Sequence, residues 1–153
     1  ANAFQNCINL DTLTLPTTMG SNVDLSNAFN TCRSLTSITI PNAYTITSLF
    51  LTFFACDSLS IITLPNNSQN NITSMSNAFA SCFNLTSVTM PTSLTGVTTL
   101  QSAFTNCYEL ESVTFPTILN SCTTLLSAFQ NCFSLTSVTM PTSMSACTNF
   151  SSI

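Results

Sequence analysis

Six times along the 153 residues the frame Phe-x-x-Cys-x-x-Leu-x-x-(Leu/Ile/Val)-Thr-(Leu/Ile/Met/Phe)-Pro returns, beginning at Phe4, Phe29, Phe53, Phe79, Phe104 and Phe129. A chain written this way does not close around one central core. Each unit has an apolar face too small to bury alone, so the units stack and bury it between neighbours. Pro16, Pro41, Pro65, Pro91, Pro116 and Pro141 stand 25, 24, 26, 25 and 25 residues apart, and the length variation falls between each Pro and the next Phe. That segment is therefore loop, and the Phe-to-Pro half is the rigid part.

Inside one unit the period changes. Leu85-Thr86-Ser87-Val88-Thr89-Met90-Pro91 alternates apolar and hydroxyl residues, the pattern of a strand with Val88 and Met90 inward and Ser87 and Thr89 outward. Pro91 ends it because proline has no N–H to give to a ladder. Equivalent parallel strands are expected at residues 12–15, 37–40, 61–64, 87–90, 112–115 and 137–140, spaced roughly 4.8 Å per turn. Opposite them, Ser76-Asn77-Ala78-Phe79-Ala80-Ser81-Cys82 opens with capping residues and sets Phe79 and Cys82 three apart, which predicts a short helical or 3₁₀ turn carrying both inward. Leu94, Val97 and Leu100 mark further core positions in the connecting arc. The expected architecture is an α/β solenoid, a leucine-rich-repeat stack of about six 25-residue turns with parallel strands on one wall and short helical turns on the other.

The run Asn77-Ala78-Phe79-Ala80-Ser81-Cys82-Phe83-Asn84-Leu85-Thr86-Ser87-Val88-Thr89-Met90-Pro91 resembles the BspA-like leucine-rich repeat, and the likeness extends over the whole chain. The resemblance implies a non-catalytic protein displayed on a bacterial or protist surface and engaged in adhesion, and it carries over no catalytic residue. Three departures from the family's pattern stand out: the period is about 25 residues instead of the commoner 23, the glycine often found after the mid-turn isoleucine is missing, and charge is almost absent. Threonine-rich arrays also resemble viral or phage fibres, so a structural subunit of a filament, sheath or fibre is the alternative expectation. Residues 1–153 are expected to form one repeat domain, continued by further turns or covered by other subunits, because stacked repeats need polar caps.

Arg33 stands alone against Asp11, Asp24, Asp57, Glu109 and Glu111, for a net charge of −4. One arginine cannot supply the counterion release that drives phosphate binding, so nucleic acid is not an expected partner. About a third of the residues are Ser or Thr, and hydroxyls rather than charge must keep the surface wet. The longest apolar run, Leu49 to Cys56, is interrupted by Thr52 and falls far short of the roughly 20 residues of a membrane span. With no histidine and two glycines, the chain offers neither a general acid–base pair nor a phosphate-cradling loop, and no enzyme activity and no cofactor are expected.

Four sets of residues carry the remaining interest. The outward strand positions Thr14, Thr39, Thr63, Ser87, Thr89, Ser112, Thr114, Ser137 and Thr139 predict a flat lattice of hydroxyls. Such a lattice is either simply an exposed parallel strand wall, where threonine sits well, or a polar face for a protein or glycan. Ice binding is a further reading, because Thr-x-Thr strands in flat arrays resemble insect antifreeze solenoids. After each ladder cysteine come Ile8, Arg33, Asp57, Phe83, Tyr108 and Phe133. Arg33 and Asp57 should pair across neighbouring turns, and Phe83, Tyr108 and Phe133 should stack into a stripe that serves packing or contact with a partner. Cys7, Cys32, Cys56, Cys82, Cys107 and Cys132 form one inward column, read as free thiols, because parallel side chains are poorly aimed for disulfides. A line of thiols is also no zinc tetrahedron, and no metal is expected. Cys122 and Cys147 sit outside that column, 25 residues apart, and are the candidates for a disulfide joining two turns. The expected setting is extracellular or cell-surface, with a virion fibre as alternative, and the expected partners are a protein or glycan surface or other copies of the chain.

Overall fold

The computed structural model describes residues 1–67 and 70–152. Its main sheet contains five three-residue parallel strands, one per turn: β2 (Ser37–Thr39), β4 (Ile61–Thr63), β5 (Ser87–Thr89), β6 (Ser112–Thr114) and β7 (Ser137–Thr139), in that spatial order. Register holds from turn to turn. Ile38 sits beside Ile62 and Ile62 beside Val88, Val88 beside Val113 and Val113 beside Val138. The alternation expected from the sequence is present: the middle residue of β2, β4, β5 and β6 is buried and its two neighbours are exposed.

A second parallel ladder runs along the connecting arc. It begins as β1 (Val23–Asp24) against β3 (Ile46–Ser48) and continues through single bridges Ser74 to Thr99, Thr99 to Thr124 and Thr124 to Asn149. At each of these stations a side-chain oxygen accepts the N–H two residues on. Asp24 takes Ser26 at 2.8 Å, Ser48 takes Phe50 at 3.2 Å, Ser74 takes Ser76 at 3.2 Å, Thr99 takes Gln101 at 3.1 Å, Thr124 takes Leu126 at 3.0 Å and Asn149 takes Ser151 at 3.0 Å. Short polar side chains bend the backbone this way wherever a turn must begin. The capping role that the sequence suggested for Ser76 and Asn77 belongs to Ser74.

The helical wall is not there. Among the described residues no segment is helical; the Phe-x-x-Cys half of every repeat is a string of turns. Two residues per repeat adopt left-handed backbone, two before and two after the phenylalanine: Asn27 and Thr31 at φ 55° and 63°, Asn77 and Ser81 at 53° and 61°, and likewise Asn2 and Asn6, Leu51 and Ala55, Ser102 and Asn106, Ser127 and Asn131. A right-handed helix cannot contain them. The hydrogen bonds alternate accordingly. Cys32 N–H closes a turn onto Phe29 at 3.0 Å, while Phe29 N–H and Thr31 N–H reach across to Thr52 and Phe54 of the next turn at 3.0 and 2.7 Å. From the second repeat on, Phe and Cys still face inward, as their spacing predicted, but through linked three-residue turns stitched to their neighbours; Cys7 of the first repeat, expected in the same inward column, is exposed.

The first turn also departs from expectation. Residues 12–15 form no strand; the last bond of that seam is Thr36 N–H to the Asp11 carbonyl at 3.3 Å. Beyond it a cleft of ≈ 350 Å³ separates Thr12 to Leu15 from β2. Tyr44, wholly buried where later repeats carry Leu94 or Leu119, donates its hydroxyl to the Pro16 carbonyl at 2.7 Å. This larger side chain claims a first-turn carbonyl and holds that turn in its own arrangement.

The core is a set of columns. Phe4, Phe29, Phe53, Phe79, Phe104 and Phe129 stack face to face with centroids 5.3 to 5.6 Å apart and planes within 10°. Leu35, Leu59, Leu85 and Leu110 form a second fully buried column. Two buried polar groups are satisfied across turns: Thr52 donates to the Leu25 carbonyl at 2.9 Å, and Asn70 accepts Ile46 N–H at 3.0 Å while donating to Pro65 at 2.8 Å.

Candidate binding face

On the strand wall Thr39, Thr63, Ser87, Thr89, Ser112, Thr114, Ser137 and Thr139 are all exposed. Thr39 pairs with Thr63, Thr63 with Thr89 and Thr114 with Thr139, while Ser87, Ser112 and Ser137 form the companion column. Strand geometry sets hydroxyls about 4.8 Å apart along the stack and roughly 6.6 Å apart along a strand. Ile61, 55% exposed, interrupts the serine column between Ser37 and Ser87. Thr14 is exposed too, but lies on the unpaired first-turn segment, outside the lattice.

Along the two seams that flank the strands, most hydroxyls are taken up by the fold. Thr98 Oγ1 donates to the Thr73 carbonyl at 3.0 Å and Thr123 Oγ1 to the Thr98 carbonyl at 3.1 Å, each beside an N–H bonded to the same oxygen. On the other seam Thr86 donates to Ser60 at 3.1 Å and Thr136 to Glu111 at 3.0 Å. The strand-face hydroxyls make no such bond among the described residues. This division separates structural from available hydroxyls, and composition alone could not draw it, because both kinds are Ser and Thr at regular spacing. No charged residue lies in any of the five strands.

The column beyond the ladder cysteines is brought together as expected. Arg33 and Asp57 pair at 3.3 Å. Phe83 stacks on Tyr108 with centroids 5.1 Å apart, and Tyr108 on Phe133 at 5.4 Å. Exposure rises along this stripe, from a half-buried Phe83 to Phe133 at 77%. The rings turn their faces to one another and their edges to solvent. Glu109 and Glu111 are solvated.

The cysteine column has a use that spacing did not reveal. From Cys32 on, each thiol donates to the phenylalanine carbonyl of the preceding turn: Cys32 to Phe4, Cys56 to Phe29, Cys107 to Phe79 and Cys132 to Phe104 at 3.1 Å, and Cys82 to Phe53 at 3.0 Å. Burial pushes these thiols up, Cys32 and Cys132 to about 11 and the deeper ones further, so they stay protonated donors. Cys122 and Cys147 are free thiols as well, with longer contacts to Thr124 at 3.5 Å and Asn149 at 3.9 Å within their own turns. Among the described residues no helix is long and apolar enough to cross a membrane, and no cluster of His, Cys, Asp or Glu is arranged to hold a metal.

The model of the BspA type leucine-rich-repeat region matches residues 1–99 and 73–151, in six copies. No curated protein sequence matches the chain. Two solved structures share the fold. A leucine-rich repeat protein from Bacteroides ovatus is 23% identical with a TM-score of 0.54, covering 94% of this chain and 40% of its own. The leucine-rich repeat protein of T. pallidum is 22% identical with a TM-score of 0.53, covering 83% of this chain and 68% of its own. The chain thus spans well under half of the first. With its repeats matched end to end and its turns stacked in register, the chain belongs to the BspA-type leucine-rich-repeat family.

Proposed function

We propose that this chain is a non-catalytic adhesion or display module of a cell surface, binding a protein or glycan through the Ser/Thr strand face. The observation that carries the reading is the separation of hydroxyls. Those of the two seams are bonded to backbone, while Thr39, Thr63, Ser87, Thr89, Ser112, Thr114, Ser137 and Thr139 are exposed, in register and without partners in the chain. The absence of charge on the strands favours an uncharged, hydrogen-bonding partner over an anionic or cationic one, since electrostatic steering would be missing. The family and the solenoid form of the chain agree with a display role, and membership brings no catalytic residue with it.

The test is binding of the chain to a panel of neutral glycans and extracellular-matrix proteins, compared with the variant Thr63→Arg/Thr89→Arg. The expected result is saturable binding to at least one member, little weakened by raising salt, and lost in the variant while its fold is retained. Binding that survives the double substitution unchanged would remove the strand face from the account.

A further inference from the structure

The strongest chemistry outside the strand face belongs to the pair Cys122 and Cys147. They occupy the same station of successive turns: Cys122 N–H bonds to the Leu119 carbonyl and Cys147 N–H to the Met144 carbonyl, both at 3.1 Å, as Val97 N–H bonds to Leu94 at 3.0 Å one turn earlier. In-register bonds flank the pair. Thr148 N–H donates to Thr123 at 3.1 Å, Thr124 bridges Asn149, and Leu119 N–H reaches Ser143 at 2.9 Å. The two Cα atoms are therefore one ladder step apart, about 4.8 Å, inside the span that a disulfide bridges.

Two differences set this pair apart from the six-thiol column. There each thiol from Cys32 to Cys132 is tied to a carbonyl of the preceding turn at 3.0 or 3.1 Å, which fixes its rotamer away from its neighbours. Cys122 and Cys147 are held by longer contacts, at 3.5 Å to Thr124 and 3.9 Å to Asn149, with a further backbone contact from Cys122 to Leu100, and so are tied less tightly than the ladder thiols. Cys147 is also half-buried while Cys122 is buried, so one thiol is open to an oxidant and the other is sheltered beside it. That is the arrangement of an attacking and a resolving cysteine.

We propose that Cys122 and Cys147 form an inter-turn disulfide when the protein meets a small-molecule disulfide such as glutathione disulfide. Cys147, deprotonated, attacks one sulfur of the oxidant, forming a mixed disulfide and releasing one thiolate. The Cys122 thiolate then attacks the Cys147 sulfur and expels the second thiol. The protein dithiol is oxidised by two electrons, the oxidant is reduced to two thiols, and the two thiol protons pass to the released thiolates. The bridge staples the turn after β6 to the turn after β7.

The experiment treats the full chain with glutathione disulfide at pH 8, alkylates it after unfolding, and reads intact mass and non-reduced peptic peptides. The expected result is loss of two hydrogens, a crosslinked peptide joining Cys122 to Cys147, and alkylation of the other six cysteines. The variant C122A should instead accumulate the mixed disulfide on Cys147. A lasting glutathione adduct on the unaltered chain, a crosslink involving a ladder cysteine, or no reaction would each overturn the proposal.

Discussion

The thiol of Cys82 donates to the carbonyl oxygen of Phe53 at 3.0 Å, one turn away, and that same oxygen accepts the N–H of Cys56 at 3.2 Å. One carbonyl thus joins a turn to itself and to the turn that follows. Recurring in successive repeats, this contact explains why a cysteine, rather than a serine or valine, stands three residues after the phenylalanine that opens each repeat frame. A thiol fills apolar space and still offers a proton.

Replacing Cys82 by alanine should cost about 1–3 kcal/mol, from the lost donor and the space left behind. Urea denaturation followed by far-UV circular dichroism measures it. An unchanged midpoint would reduce the thiol contact to coincidence.

The same thiols make stability fall in alkali. Burial pushes Cys32 and Cys132 from an ordinary 9.0 up to about 11. The folded state therefore holds its protons more tightly than the unfolded state, so their contribution is complete below pH 9 and is lost as pH rises through about 11. Melting temperatures should be level from pH 7 to 8.5 and decline above pH 9. The decline should shrink in a variant with both cysteines changed to valine.

Ala55 adopts φ 54° without any compensating side-chain bond. An L-residue there carries strain that glycine lacks, so Ala55→Gly should stabilise the chain by about 1 kcal/mol. Ala78→Gly, at a buried site with ordinary backbone, should destabilise it. Equal destabilisation by both would show that the left-handed position is not strained.

The two kinds of hydroxyl should respond oppositely to the isosteric change Thr→Val. Thr98→Val removes the bond to Thr73 and should cost about 0.5–1.5 kcal/mol, with ligand binding retained. Thr63→Val and Thr89→Val should leave stability within about 0.5 kcal/mol of the parent and weaken binding. Thermal unfolding and a binding assay on the same samples separate these outcomes.

Much of this was legible in the residues. The Phe and Cys frame placed both columns, the Thr-x-apolar alternation placed five strands and their exposed hydroxyls, and the neighbouring positions of Arg33 and Asp57 anticipated their ion pair. The turn wall was misread because a spacing of three fits a 3₁₀ turn and a series of β-turns equally well. The deciding signal was Asn or Ser recurring two before and two after phenylalanine, as at Asn77, Ser81, Asn106 and Asn131, since asparagine tolerates left-handed backbone. Leu51 and Ala55 hide that signal in the third repeat. The loss of a strand at residues 12–15 was not legible, because those residues carry the same alternation as the strands that form. Nor could the sequence divide structural from available hydroxyls, because the division is made by backbone carbonyls of the preceding turn.

The assignment of the binding face is tested most directly by NMR. Amide and methyl shifts of the labelled chain are followed while the tightest-binding panel member is titrated in. The account predicts perturbations centred on Thr39, Thr63, Thr89, Thr114 and Thr139 and their serine neighbours, with the opposite wall silent. Perturbations centred on Phe83, Tyr108 and Phe133, with the strand residues unmoved, would contradict it.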